Sequence, residues 1–213
     1  MFTVNDQGDG NARLAKFVDG VLVGEQVVES ARYLIGPAGL LVFADNDSEA
    51  YNGRVSTFAV AFDTLPDAKV GEMGGAGLDG FFADPTDGVV QFDFGKTTFR
   101  GGVAAASLGE GTLTDRLFSG VYADDDGIPF EQFDAKGGFR VDAEYGSGMT
   151  SFTLVYDLIL ERTQPKGFGG LIQLDNENLS DGDLFFRDDG DSFGIGISGG
   201  KFQAHPCCHT ISV

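Results

Sequence analysis

Tryptophan is absent from this chain, cysteine occurs only as the adjacent pair Cys207 and Cys208, and 14 basic residues face 33 acidic ones. Each shortage excludes something. Neighbouring cysteines rarely meet the geometry of an unstrained disulfide, so no covalent framework is expected and the redox compartment stays open. His205-Pro-Cys-Cys-His209 crowds four zinc-type ligands into five residues, too close to wrap one tetrahedral ion, so zinc is not expected. A formal net charge of −19 repels phosphate backbones and anionic lipid, which argues against nucleic-acid and membrane-surface partners. No apolar run reaches the roughly 20 residues of a membrane-spanning helix, so no membrane insertion is expected. The opening Met1–Asp6 has no basic region followed by an apolar one, so a secreted parent would carry its signal outside this chain. Proline numbers only 6 and the 33 glycines have no three-residue period, which excludes a collagen-like chain.

What is abundant is phenylalanine, 20 residues in a chain of 213 that is 42% hydrophobic, enough for the core of one β-domain. Leu40–Phe43 reads as a short buried strand, and Ser56, Phe58, Val60 and Phe62 alternate with smaller residues at a period of two. Leu65–Met73 predicts one short helix, with Pro66 and Asp67 in its first turn and Gly74-Gly75 stopping it. Leu14–Val18 and Val21–Val23 flank Asp19-Gly20, a two-residue hairpin signal. Phe2–Val4 and Tyr33–Ile35 read as further short strands. Later alternations run through Val90–Phe94, Phe139–Tyr145 and Phe152–Leu160. Leu171–Leu174 reads as a strand, and Leu184–Phe186 with Phe193–Ile197 as a hairpin. Residues 101–138 carry no legible pattern. The class is all-β, a two-sheet antiparallel sandwich with one short helix.

Two blocks of this pattern resemble a LamG-like, concanavalin A-like jelly roll. The hairpin Ala12 to Val23 (ARLAKFVDGVLV) and the run Leu40 to Gly75 look like the closing half of that family. Val90-Gln-Phe-Asp-Phe94, Ser151 to Asp157 and Asn178 to Phe185 followed by Gly194-Ile-Gly196 look like its opening half. The halves stand in permuted order. The resemblance therefore implies one domain over 1–213, with 1–80 as closing half, 81–89 as linker and 90–200 as opening half. It also implies that Met1–Val4 and Thr210–Val213 lie close together at one sheet. The expected core includes Phe17, Phe43, Phe58, Val60, Phe62, Phe92, Leu154, Tyr156, Ile172 and Phe185.

Chemistry is sparser. No Glu has an Asp two residues on, so the Glu-x-Asp-x-x-Glu strand of related glycanases is missing and catalysis is not expected. Glu131 with Asp134, and Asp142 with Glu144, are the nearest acidic pairs, and solvated carboxylates on strand edges account for them. Tyr33, Tyr51, Tyr122 and Tyr145 are rim or core aromatics before they are sugar-stacking rings. Two acidic loops offer the oxygen ligands that calcium takes. Asp45 and Asp47 lie in one, Asn178, Asp181 and Asp183 in the other, and ordinary turn chemistry accounts for the same residues. In LamG-like sandwiches such loops lie at a sheet rim, so the resemblance implies a shared Ca2+ site there. It further implies a non-catalytic recognition or adhesion module of an extracellular or cell-surface protein, binding a glycan or a surface protein. A glycoside hydrolase of the same sandwich class and a structural spacer in a repeat array are the alternatives.

Overall fold

The computed structural model describes residues 1–44, 52–75, 80–84, 88–115, 121–123, 127, 129–133, 137–143, 148–160, 167–174, 184–188 and 193–197. Of these, 115, 121–123, 160, 167–168, 186–188 and 193–197 are described by their backbone alone. Strands β1 (Phe2–Asp6), β2 (Asn11–Val18), β3 (Val21–Glu29), β4 (Leu40–Val42) and β5 (Gly53–Ala61) precede the helix α1 (Asp67–Met73). Then follow β6 (Val89–Asp93), β7 (Phe99–Arg100), β8 (Val103–Ala105), β9 (Gly111–Asp115), β10 (Val121–Ala123) and β11 (Pro129–Phe133). The last are β12 (Phe139–Ala143), β13 (Phe152–Leu160), β14 (Gly167–Gln173), β15 (Leu184–Asp188) and β16 (Phe193–Ile197).

These strands form two antiparallel sheets of eight. The first runs β10-β11-β5-β13-β1-β2-β3, with β6 also on β5, and the second runs β16-β15-β14-β4-β12-β9-β8-β7. The protein is an all-β two-sheet sandwich with one α-helix among the described residues. Alternation explains the core. Phe2, Val4, Leu14, Phe58, Val60, Phe92 and Leu154 point inward from the first sheet; Leu40, Val42, Leu113, Phe139, Val141, Ile172 and Leu184 belong to the same buried cluster from the second. Stretches 1–80 and 90–200 both contribute to it, and their strands interleave: β5 pairs with β6 and β13, and β1 with β13. Phe43 ends β4 in a left-handed conformation, φ 52°, with its ring buried and stacked on Phe133 at 4.1 Å.

The hairpin signal is borne out: Asp19 and Gly20 carry φ of 48° and 79°, and β2 pairs with β3 on either side of them. The helix begins two residues later than the pattern suggests. Leu65 precedes a proline, which disfavours helical φ/ψ, and its N–H instead donates to Thr153 Oγ1 at 2.9 Å. Tyr33–Ile35 is not a strand. Ser30–Arg32 is a 3₁₀ turn, and Ile35 makes a single bridge with Met149 before Gly36-Pro37 turns the chain away. Residues 101–138 hold β8 to β11, which the sequence pattern does not reveal.

Of the expected core, Phe43, Phe58, Val60, Phe92, Leu154 and Ile172 are buried in the main cluster, and Phe62 and Tyr156 pack on it partly exposed. Phe185 is half-buried. Phe17 is buried elsewhere, on the outer face of the first sheet, with Ala15 and Val70 under α1. The bidentate pair Arg13–Asp67, 2.8 Å at both oxygens, ties that helix to β2. The expected meeting of the two chain ends involves 210–213, which lie outside the described residues.

Candidate functional site

The outer face of the first sheet is covered over β2 by Leu65 and Val70, with the Leu65 N–H bonded to Thr153 on β13, and over β6 by the segment 80–84, whose Phe81 and Phe82 N–H groups donate to Gln91 Oε1. At the other end, across β11, β5 and β13, polar, aromatic and apolar side chains reach solvent. A β-bulge decides which ones. Asp157 on β13 pairs with Thr57, but the next residue, Leu158, pairs with Val55, so Ser56 is the extra residue on β5. One inserted residue reverses the facing of everything before it. Val55 turns into the core, Arg54 turns outward, and the Ser56 hydroxyl is aimed along the sheet to donate to Asp157 Oδ2.

The same bulge divides the free edge of β5 between two strands. β6 pairs with Thr57–Ala61 and β11 with Gly53–Val55, so they meet end to end at Ser56. Register then sets Asp93, Thr57 and Asp157 side by side on one face of three strands. Asp93 is nearly buried; its Oδ1 accepts from Gly95 N at 3.0 Å and its Oδ2 pairs with Lys96 Nζ at 3.0 Å. Beyond the bulge Arg54 stacks over Phe130, guanidinium carbon 4.9 Å from the ring centroid, and Ile159 beside it is 55% exposed. Gln132 is the register partner of Arg54 on the same face.

Lys96 leads on to a second feature. An open cleft of ≈ 430 Å³ is lined by Lys96, Thr98, Arg100, Val103, Ala105 and Ala106. Its residues come from the turn after β6 and from β7 and β8, the hairpin at the edge of the second sheet. The Asp93–Lys96 ion pair is the link between the bulge face of the first sheet and this cleft at the edge of the second.

None of these residues was singled out by sequence reasoning. The bulge has no local signature. Nor have Lys96 and Arg100, since basic pairs as closely spaced recur at Arg13/Lys16, Lys136/Arg140 and Arg162/Lys166. The expected calcium ligands Asp45, Asp47, Asn178, Asp181 and Asp183 all lie outside the described residues. Among the described residues no group of three or more His, Cys, Asp or Glu is placed to hold a metal ion.

Two acidic expectations come out differently. Glu131 is not a solvated edge carboxylate; as the register partner of Val55 it is turned inward by the bulge and is 0% exposed. Asp142 is partly exposed and accepts from Arg140 Nη2 at 2.9 Å, while Asp134 and Glu144 lie outside the described residues. Tyr33 is a core residue, 1% exposed, and Tyr122 is described by its backbone only. Tyr51 and Tyr145 lie outside.

Fold and site together define a class, the antiparallel two-sheet sandwich with a polar and aromatic band on one outer face. The chain matches no family model, no curated protein and no solved structure. No helix of the described residues is long and apolar enough to cross a membrane.

Proposed function

We propose that the chain is a non-catalytic recognition module of an extracellular or cell-surface protein, a permuted LamG-like jelly roll that binds a glycan. The observation that supports this reading is the partly exposed band Arg54–Phe130–Gln132–Ile159 beside Ser56–Asp157. A guanidinium, an exposed aliphatic carbon surface and a carboxylate with its hydroxyl neighbour offer hydrogen-bonding groups beside carbon surface, as a sugar ring does with its edge hydroxyls and C–H faces. The pair is held ready by the bulge, so little side-chain ordering is lost on binding.

A glycan array with and without calcium, followed by a hydrolysis assay on the hits, tests the reading. Binding that Arg54→Ala and Phe130→Ala weaken at least tenfold, with the hit left intact, is the expected result. Turnover of the hit would favour the glycoside hydrolase, and a blank array would leave a structural spacer or a protein-binding module. Calcium is proposed for the acidic loops, with Asp45, Asp47, Asp181 and Asp183 as ligands and Asn178 completing the shell. A bound ion would stabilise the fold by mass action, about 2.7 kcal/mol at a hundredfold excess over Kd. Melting in EDTA and in millimolar calcium reads this directly, and an unchanged midpoint would leave both loops as solvated turns.

A further inference from the structure

We propose that the outer edge of β3 is a docking site for an extended, basic segment of a partner protein, which adds to the first sheet as a further antiparallel strand. This edge lies at the far end of that sheet from β11, β5 and β13, so the proposal stands apart from the recognition of sugar. Its geometry comes from the hydrogen-bond ladder. Met1 and Phe17 exchange both backbone bonds, at 2.9 and 2.8 Å, and Asn11 O accepts from Gln7 N at 2.8 Å, so the odd-numbered residues of β2 face β1. Backbone groups alternate sides along an antiparallel strand, so Ala12, Leu14 and Lys16 face β3 and bond with their register partners Val28, Gln26 and Gly24. Ser30 N donates to Gly10 O at 3.0 Å in the same phase. The N–H and C=O groups of Glu25, Val27 and Glu29 therefore point outward from the edge, and among the described residues no strand lies beyond them. A row of this kind recognises extended backbone.

Side chains state what the added strand must carry. Glu25, Val27 and Glu29 share the outer face with their register partners Ala15, Arg13 and Asn11, and all three are exposed where Gln26 and Val28 are half-buried. Val27 is 72% exposed, an apolar side chain with a carboxylate two residues away on either side. Arg13 bridges Glu25 and Asp67 at 2.7 and 2.8 Å, so with Glu29 three carboxylates surround one guanidinium and two negative charges are left over. A strand reading basic–x–apolar–x–basic sets its cations opposite Glu25 and Glu29 and its apolar side chain opposite Val27. A second copy of this chain does not fit. A two-fold axis on Val27 sets each Glu25 against the other copy's Glu29, and like charges directly opposite are destabilising. An axis on Gln26 sets each Glu29 against the bulge at Val23, the extra residue between the pairs Lys16–Gly24 and Phe17–Leu22. The overall charge of −19 repels a second copy and attracts a basic segment.

The test is titration of the full chain, by calorimetry and by amide chemical shift, with a capped peptide built on Lys-Thr-Val-Thr-Lys. Two control peptides separate its features. Thr-Lys-Val-Lys-Thr keeps the charge but moves it to the other face, and Lys-Thr-Pro-Thr-Lys keeps the lysines but lacks the central N–H. The expected result is binding about tenfold tighter for the first peptide than for either control, with shifts and slowed amide exchange at Glu25, Val27 and Glu29. Val27→Pro removes an N–H that the sheet itself does not use, so the fold should stay, as circular dichroism checks, while binding is lost. Glu29→Lys, an exposed substitution that leaves the backbone ladder untouched, should weaken the lysine peptide. Equal binding of the three peptides would reduce the effect to net charge and overturn the proposal. No binding, shifts confined to other surfaces, or affinity unmoved by both variants would overturn it too. Sedimentation at rising concentration without peptide tests the other occupant: self-association that Val27→Pro abolishes would place a second copy on the edge and overturn the basic partner.

Discussion

At Gly109 the backbone carries φ 77°, and a Cβ there would lie 1.8 Å from the Val89 carbonyl oxygen at the start of β6. Two costs combine in any substitution: a left-handed conformation for an L-residue and displacement of a strand's backbone. Gly109→Ala is expected to destabilise by at least about 2 kcal/mol in urea unfolding; a change within error would mean that β6 shifts freely. The N-terminus offers a titration. When the chain begins with a free Met1 amine, that amine is buried, donates to Phe17 O at 2.9 Å, and has its pKa lowered from 8.0 to about 5 by desolvation, against a smaller raising effect of Asp19. Between pH 5 and 8 the unfolded chain therefore holds a proton that the folded chain lacks. Stability should rise with pH through that window, by up to about 1.4 kcal/mol per unit, and this contribution levels off below pH 5 and above pH 8, where both states carry the same charge on the amine. Comparing the pH slope of unfolding between free and Nα-acetylated protein isolates this group, and identical slopes would refute it.

Elements differ in how they are held. The seven residues of α1 are too few to be stable alone, so docking must supply what propensity cannot. Two attachments are available: Val70, fully buried against Ala15 and Phe17, and the exposed Arg13–Asp67 pair. Magnitudes decide between them. Val70→Ala removes two buried carbons, about 1.6 kcal/mol before any cavity cost. Arg13→Ala removes ion pairs with Asp67 and Glu25 whose side chains are 45% and 54% exposed, worth about 1 kcal/mol or less in solvent. Arg13 hydrogen bonds also lower the pKa of Asp67, so what the pair contributes is present above the unfolded carboxylate range and fades as pH falls below it. Urea midpoints at pH 7 should rank Val70→Ala below Arg13→Ala; the reverse order would mean that the helix is held by charge.

For the whole molecule, the largest electrostatic influence on stability is self-repulsion of a net charge of −19. Sodium chloride raised from 10 mM to 0.5 M, with EDTA present to remove divalent ions, is expected to raise the melting midpoint as the Debye length shrinks from roughly 30 Å toward a few ångströms. A falling midpoint would show that specific ion pairs, not the global field, govern stability. The two sheets share one buried cluster drawn from both ends of the chain, with β1 against β13 and β5 between β13 and β6. These pairings span long sequence separations and join local hairpins such as β2–β3 into one sandwich, and such non-local contacts slow folding.

Local chemistry was sufficient wherever a residue's own conformational preference decides. Asp19-Gly20 accepts positive φ and makes its hairpin, and Pro66 places the helix start. The alternation of Phe58 with Val60, and of Phe152 with Leu154, marks a buried face whatever lies across from it. The site was not legible on that basis. Alternation reports that two faces exist but not where the count slips, and the slip at Ser56 arises only because β13 lies on one edge of β5 while β6 and β11 divide the other. That slip buries Glu131, turns Arg54 out onto Phe130 and aims Ser56 at Asp157. A one-residue register shift exchanges inside for outside. The partner strands that set it are distant in the chain, Asp157 lying 101 positions from Ser56, so no local window of sequence contains the cause.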